Sequence, residues 1–180
     1  MALPSTVYKA SIQLSDLDRG VYETLQATVA QHPSETGERL VARLLAYSIF
    51  QEPELAFTKG ISATEEPDLW VKGADGRVRL WGEVGLPEAD RIIKASRHSE
   101  RVALLACGKA LANWDQLQLP KLAKLANLTV ISIDQAFINK LASLLERSIN
   151  WSITITEGTF YLAIAEETLE TVIRVKTGSR

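Results

Sequence analysis

The run of apolar patterns along this 180-residue chain predicts an α/β fold. The expected architecture is a central mixed β-sheet flanked by helices, with additional antiparallel strands at both ends of the chain. Three observations carry that expectation. Val102 to Cys107 and Leu128 to Ile133 are short, nearly continuous apolar runs, the pattern of strands buried on both faces. Each follows a segment with helical periodicity, so a crossover can place the two side by side. Both ends of the chain instead alternate apolar and polar residues, as half-buried strands do.

Taken in order, Val7 to Leu14 alternates, Asp16-Leu17-Asp18-Arg19-Gly20 makes a turn, and Val21 to Val29 returns. His32-Pro33-Ser34 ends that hairpin. Leu40, Val41, Leu44, Leu45 and Ile49 then recur at helical spacing. Ser34 or Thr36 is the expected N-cap, with Glu35 and Glu38 in the first turn, where the helix dipole favours negative charge. Leu55 to Thr58 is a short strand, followed by a polar loop through Glu66. A hairpin spans Pro67 to Gly85, and Leu86-Pro87-Glu88 opens a second helix that runs to about His98. Asn113 to Ala126 reads as partly helical and broken by Pro120, and Gln135 to Leu145 as another helix. Ile149 to Thr156, Thr159 to Ile164 and Thr168 to Val175 read as antiparallel strands with a turn at Gly158. No repeat or flexible linker interrupts the chain, so residues 1–180 are expected to form a single domain.

Bulk properties narrow the function classes. With 46% hydrophobic and 23% charged residues, the composition is that of an ordinary globular protein. A net charge of −2 argues against a strongly electrostatic nucleic-acid binder, while leaving room for a local basic patch. The lone Cys107 rules out an intramolecular disulfide and fits a reducing compartment, and its apolar neighbours predict a buried, inert thiol. No charged-then-apolar leader and no run of about 20 apolar residues is present, so a cytoplasmic location and no membrane partner are expected.

The stretch that bears most on function is the hairpin. Asp75-Gly76 between alternating runs is a strong turn signal. A two-residue loop there pairs Ala74 with Arg77, Lys72 with Arg79, Trp70 with Trp81 and Asp68 with Glu83. Two carboxylates would then lie opposite each other, with Cβ atoms roughly 4.5–5.5 Å apart. Such a pair repels unless a cation lies between, and oxygen ligands of this kind suit Mg²⁺. Glu38 is a candidate third carboxylate, at the edge of the apolar stripe of the first helix. Arg91, Lys94 and Arg97 share one side of the second helix and are candidates to hold a phosphate or developing negative charge.

Plainer readings stand beside these. Asp68 can be a turn residue after Pro67, Glu83 a solvated strand residue, and Glu38 a dipole partner. The basic helix side can be solvated, with Glu88 and Asp90 as partners. Trp70 and Trp81 read first as a cross-strand packing pair, and second as a base-stacking platform. His32 and His98 have no metal-ligand spacing, and neither a phosphate loop nor a nucleophile elbow is present.

Pro67-Asp68, Glu83-x-Gly85 on the next strand and a following helix with Lys94 resemble a variant of the PD-(D/E)xK nuclease motif. More narrowly, the chain resembles the YaeQ family of bacterial proteins. The stretches that carry this are His32-Pro33-Ser34-Glu35-Thr36, Arg39 to Ala46, Glu66-Pro67-Asp68-Leu69-Trp70, Trp81 to Pro87, Arg91-Ile92-Ile93-Lys94-Ala95 and Leu125-Ala126-Asn127-Leu128. The resemblance implies a restriction-endonuclease-like fold with a Mg²⁺ site at the edge of the sheet and hydrolysis of nucleic-acid phosphodiesters. It implies Asp68 and Glu83 as metal ligands, Glu38 as the helix carboxylate, and Asp68, Glu83 and Lys94 as the catalytic set. Gly85 stands where the motif has its lysine, and Lys94 is where some members of the superfamily place it instead. Three functions therefore stand as expectations: a Mg²⁺-dependent nuclease, a module that kept the fold and binds nucleic acid or a protein partner without turnover, or a purely protein-interaction role in which the C-terminal strands offer an edge for pairing.

Overall fold

The computed structural model describes residues 3–59 and 65–180. In chain order these form β1 (Thr6–Asp16), β2 (Val21–Gln31), α1 (Gly37–Ile49), β3 (Ala56–Phe57), β4 (Leu69–Lys72), β5 (Val78–Gly85), α2 (Ala89–His98) and β6 (Ser99–Ala106). They continue with α3 (Leu111–Leu117), α4 (Leu119–Leu122), β7 (Leu128–Ser132), α5 (Gln135–Ser143), β8 (Ser148–Thr156), β9 (Thr159–Ile164), β10 (Glu167–Val172) and β11 (Arg174–Thr177). Part of the polar loop expected before Glu66 lies outside the described residues. Among those described, no helix is long and apolar enough to cross a membrane.

The fold is mixed α/β, with two mixed sheets. The central sheet has the order β11-β7-β6-β5-β4-β3, and its middle strands β5, β6 and β7 run parallel. These parallel strands include the two apolar runs, and Leu104, Leu105, Ala106, Val130 and Ile131 are fully enclosed. The second sheet, β10-β9-β8-β1-β2, corrects the expectation of antiparallel additions at the two ends. The N-terminal hairpin and the C-terminal strands join, and the joint between β1 and β8 is parallel, with Ile12 beside Trp151. The expected strand Thr168 to Val175 also divides. Val172 still pairs with Thr159 in the terminal sheet, while Arg174 pairs with Ser132 in the central one. Ile173, buried between them, donates its N–H to Gly158 O at 2.8 Å, and the chain crosses between sheets there.

α1 explains why two sheets form. Its residues from Leu40 to Ile49 are all buried, so it has no solvent side beyond its first turn. One core joins it to Ile12, Leu14, Ile153 and Ile155 of the terminal sheet and to Leu69, Leu80 and Ala103 of the central one. A helix apolar around its whole girth requires walls on more than one side. Thr36 Oγ1 accepts from the Arg39 N–H at 3.2 Å and fixes its start, as one of the two expected caps. On the other face of the central sheet, Ala89, Ile92 and Ala95 of α2 pack with Trp114, Leu122 and the strand residues Leu104 and Val130. The helical stretch is interrupted as expected: α3 ends at Leu117, and Pro120 sits in the first turn of the separate α4, where its missing N–H costs nothing.

Candidate functional site

The β4–β5 hairpin aligns Trp70 with Trp81 and Leu69 with Gly82, as its sequence predicts. Near the turn the expected register fails. Lys72 pairs with Val78, not Arg79, because the ladder slips by one residue after Val71. The turn is wider than a two-residue loop: Gly73 N–H reaches Arg77 O at 2.8 Å and Gly76 N–H reaches Gly73 O at 2.9 Å. Gly76 takes φ +80°, so its lack of a Cβ is what lets the slip occur. At the open end the Asp68 N–H donates to Gly82 O at 3.0 Å. That bond is one residue off the Leu69–Gly82 register, so the expected Asp68–Glu83 ladder pair does not form; Asp68 turns to the arginines of α1 and Glu83 to Arg91 of α2.

Both carboxylates are buried, with about a twentieth of each residue exposed (Asp68 5%, Glu83 5%). The surroundings of each are built from different elements. Asp68 Oδ1 accepts from Arg39 Nη2 of α1 at 2.7 Å, and Oδ2 from the Val84 N–H at 2.9 Å. Arg43 Nε, one turn further along α1, approaches Oδ1 at 3.9 Å. Glu83 Oε1 accepts from Trp81 Nε1 and from Arg91 Nε of α2, each at 2.7 Å. Burial raises the Glu83 pKa above its ordinary range, and the Asp68 charge adds to this; Trp81 and Arg91 oppose it without cancelling it.

Glu35, which the sequence offered only as a first-turn dipole partner, is the third carboxylate of this cluster. It accepts from Arg39 Nη1 at 3.0 Å and from Arg43 Nη1 at 3.2 Å. Glu35, Arg43, Asp68 and Arg39 thus alternate in charge around a ring that is open on one side, where the buried Arg43 Nε stands too far from Asp68 for a hydrogen bond. Burial lowers the Arg39 pKa, but Asp68 and Glu35 outweigh it and hold the guanidinium above its ordinary value. Arg43 also donates to Ala30 O at 3.2 Å and lies 5.5 Å from the Phe57 ring centre.

Of the other predicted residues, Glu38 is exposed in the first turn of α1. Lys94 is 71% exposed, and its ammonium meets the Glu65 carboxylate at 3.7 Å, away from Asp68 and Glu83. Arg91 enters the cluster through Glu83, while Arg97 is exposed on α2. Gly85 has φ +108° with open space where a Cβ would point. The backbone, not crowding, is what a lysine could not accept at that position. The neighbouring Cys107 is partly buried, not fully as expected, yet desolvation still pushes its thiol up to about 11, in keeping with an inert residue.

Among the described residues, no group of three or more His, Cys, Asp or Glu side chains is placed to hold a metal ion. In this arrangement the pair does not fit Mg²⁺. A divalent ion needs open carboxylate oxygens, whereas both oxygens of Asp68 and Oε1 of Glu83 already accept from guanidinium, indole or amide donors. The arrangement is a neutralised, hydrogen-bonded cluster at the rim of the central sheet. It lies beside a shallow hollow of about 150 Å³ lined by Trp81, Arg91, Lys94 and His98.

Comparison with known proteins bears on what this cluster belongs to. A family model described as YaeQ protein matches residues 1–173. The protein named uncharacterized protein YaeQ from Salmonella typhi is 39% identical over 171 residues, 94% of each chain. That of Escherichia coli (strain K12) is 36% identical over the same span and coverage. A crystal structure of YaeQ protein from Pseudomonas syringae superposes with a TM-score of 0.93 at 42% identity, over 99% of both chains. One from Xanthomonas axonopodis pv. citri also gives 0.93, at 33% identity, over 97% of this chain and 99% of that one.

Proposed function

The chain belongs to the YaeQ family, and from the face that its carboxylate cluster adjoins we propose that it is a restriction-endonuclease-like module that binds single-stranded nucleic acid without cutting it. The observation that carries this is the face of the hairpin that lies beside α2. Trp70 and Trp81 are cross-strand partners, both half-buried. The Lys72 ammonium sits 3.7 Å from the Trp70 ring centre, and the Arg91 guanidinium 5.8 Å from that of Trp81. Flat rings interleaved with cations are what stacked bases and their phosphates require. Lys94 and Arg97 extend the same basic side along α2. The filled carboxylates and the glycine at position 85 support binding over turnover, and the cytoplasm is the expected setting.

Tryptophan emission tests it directly, because Trp114 and Trp151 are buried and Trp70 and Trp81 are the rings within reach of a ligand. A single-stranded oligonucleotide should quench the emission, with affinity that falls as salt rises. Trp70→Ala should weaken binding by about 1–3 kcal/mol. No quenching at low salt, or binding indifferent to salt, removes the proposal.

A second reading keeps catalysis. Asp68 and Glu83 lie at the same end of the hairpin, and a Mg²⁺-dependent nuclease with Asp68, Glu83 and Lys94 as its catalytic set and Glu38 as a further ligand would require Arg39 and Arg91 to leave the two carboxylates and Lys94 and Glu38 to turn in from solvent. Calorimetric titration with Mg²⁺ and Mn²⁺, and incubation with labelled DNA and RNA, separate the two. Metal-dependent cleavage that Asp68→Asn abolishes would replace the binding module with an enzyme.

A further inference from the structure

We infer that the cleft at the N-terminal ends of β5, β6 and β7 binds a small organic oxyanion, a molecule with an apolar body and one carboxylate or phosphate group. The cleft encloses about 500 Å³, within the range of small-molecule sites. It shares no residue with the carboxylate cluster, which lies at the opposite, C-terminal end of β5. Three arginines line it, Arg19, Arg101 and Arg180, against one carboxylate, Glu52. On the cleft side the guanidiniums outnumber the carboxylates, while Asp16 and Asp18 behind them pair with Arg19 and Arg180 and bring the whole group to neutrality.

The guanidiniums are held in place before any ligand arrives. Arg19 donates to two neutral acceptors, Ile49 O at 2.9 Å and Gln51 O at 2.7 Å. Arg180 is anchored on Asp16, which is fully enclosed behind the cleft, and on Asp18 at 3.2 Å. Arg101, half-exposed, meets Glu52 at 2.7 Å and is the arginine most open to the cleft. Burial pulls the Arg19 pKa down; Asp16 and Glu52 oppose that, while the charges of Arg180 and Arg101 lower it further. With Asp16 and Asp18 on their far side, the guanidiniums offer an oxyanion in the cleft charge-assisted N–H donors, for which it competes with Glu52 at Arg101. The floor that would take an apolar body is Leu80, Val102 and Leu128.

One wall is the chain segment from Gly178 to Arg180. Thr129 Oγ1 donates to Ser179 O at 2.8 Å. Gly178 has φ +75°, and a Cβ there would collide with the Leu128 carbonyl. The segment therefore lies flush on β7 and completes the cleft only because residue 178 is glycine.

The test is an ¹⁵N NMR titration with phenyl phosphate, benzoate, inorganic phosphate and the neutral benzyl alcohol. Phenyl phosphate or benzoate should shift the amides of Arg101, Val102, Leu128 and Thr129, and whichever binds tighter identifies the oxyanion. Arg101→Ala should weaken that binding about tenfold or more, the loss of a charge-assisted contact. Glu52→Gln, which removes the competing carboxylate, should strengthen it. Both side chains reach solvent, and an unchanged amide spectrum elsewhere checks that the variants fold. No shifts at millimolar concentration, benzyl alcohol binding as well as benzoate, inorganic phosphate binding as well as phenyl phosphate, or binding indifferent to both substitutions would each overturn the inference.

Discussion

Glu35→Ala tests whether the charge ring is built as described. The side chain neutralises Arg43, of which 2% is exposed, and shares Arg39. Without it Arg43 keeps the Ala30 carbonyl at 3.2 Å and the distant Asp68 oxygen at 3.9 Å, neither of which balances its charge well. Removing one partner of a buried ion pair costs about 3–5 kcal/mol. Asp68 remains nearby, so the lower end applies, about 3 kcal/mol. For a protein of this size that is a fall in Tm of roughly 6–12 °C. Urea unfolding followed by tryptophan emission reads the loss, which should change little with added salt because the pair is buried. Arg43→Met in the same background removes the stranded charge and should recover about 1–2 kcal/mol. A cost below about 1 kcal/mol would place Glu35 among surface pairs and refute the ring. A double variant no more stable than Glu35→Ala would refute the stranded charge.

Gly85→Ala should cost about 1–2 kcal/mol in the same unfolding experiment, because its side would be open but its φ left-handed; a neutral result contradicts that backbone. Gly85→Lys should lose at least as much, and oligonucleotide cleavage in its presence would show that the position tolerates the motif lysine after all. For Cys107, the folded protein holds the thiol proton more tightly than the unfolded chain does, 9.0 being the ordinary value and about 11 the folded one. Its contribution is complete below pH 9, fades as pH rises through about 11, and amounts at most to about 2–3 kcal/mol. Measured from pH 8 to 11.5, wild type should therefore lose stability relative to Cys107→Ala, and iodoacetamide should label the folded protein slowly; equal pH profiles would contradict the shift.

Local pattern made most of the elements legible. Apolar periodicity located α1, the two enclosed strands and the hairpin, and the apolar–polar alternation placed β8 and β9 within a residue. What local pattern could not supply was partner choice. β1 and β8 are far apart in the chain, and alternation has nothing to say about which strand completes which sheet. Ile173 continues the alternation of its neighbours, so the crossing between sheets left no signal. In the site, the register beyond Val71 depended on the backbone of Gly76, which only a turn geometry reveals. Glu38 was chosen over Glu35 by helical-wheel logic, but Glu35 lies before the Thr36 cap, where helical periodicity does not operate. A buried arginine at position 43, inside an apolar stripe, was the available clue: a guanidinium there requires carboxylates, and two were near.

The parallel pairing of β1 with β8 also sets a waiting time during synthesis. The β1–β2 hairpin leaves the ribosome early, but the strand that covers the β1 edge begins at Ser148, more than a hundred residues later. At about 5–20 residues per second the edge stays bare for roughly 7–26 s. Throughout that interval the nascent chain presents eleven residues of alternating strand with unsatisfied amides and an apolar inner face of Ala10, Ile12 and Leu14. Such an edge is open to pairing with a neighbouring chain on the same polysome. That bare interval is the consequence of closing a sheet between strands that lie more than a hundred residues apart.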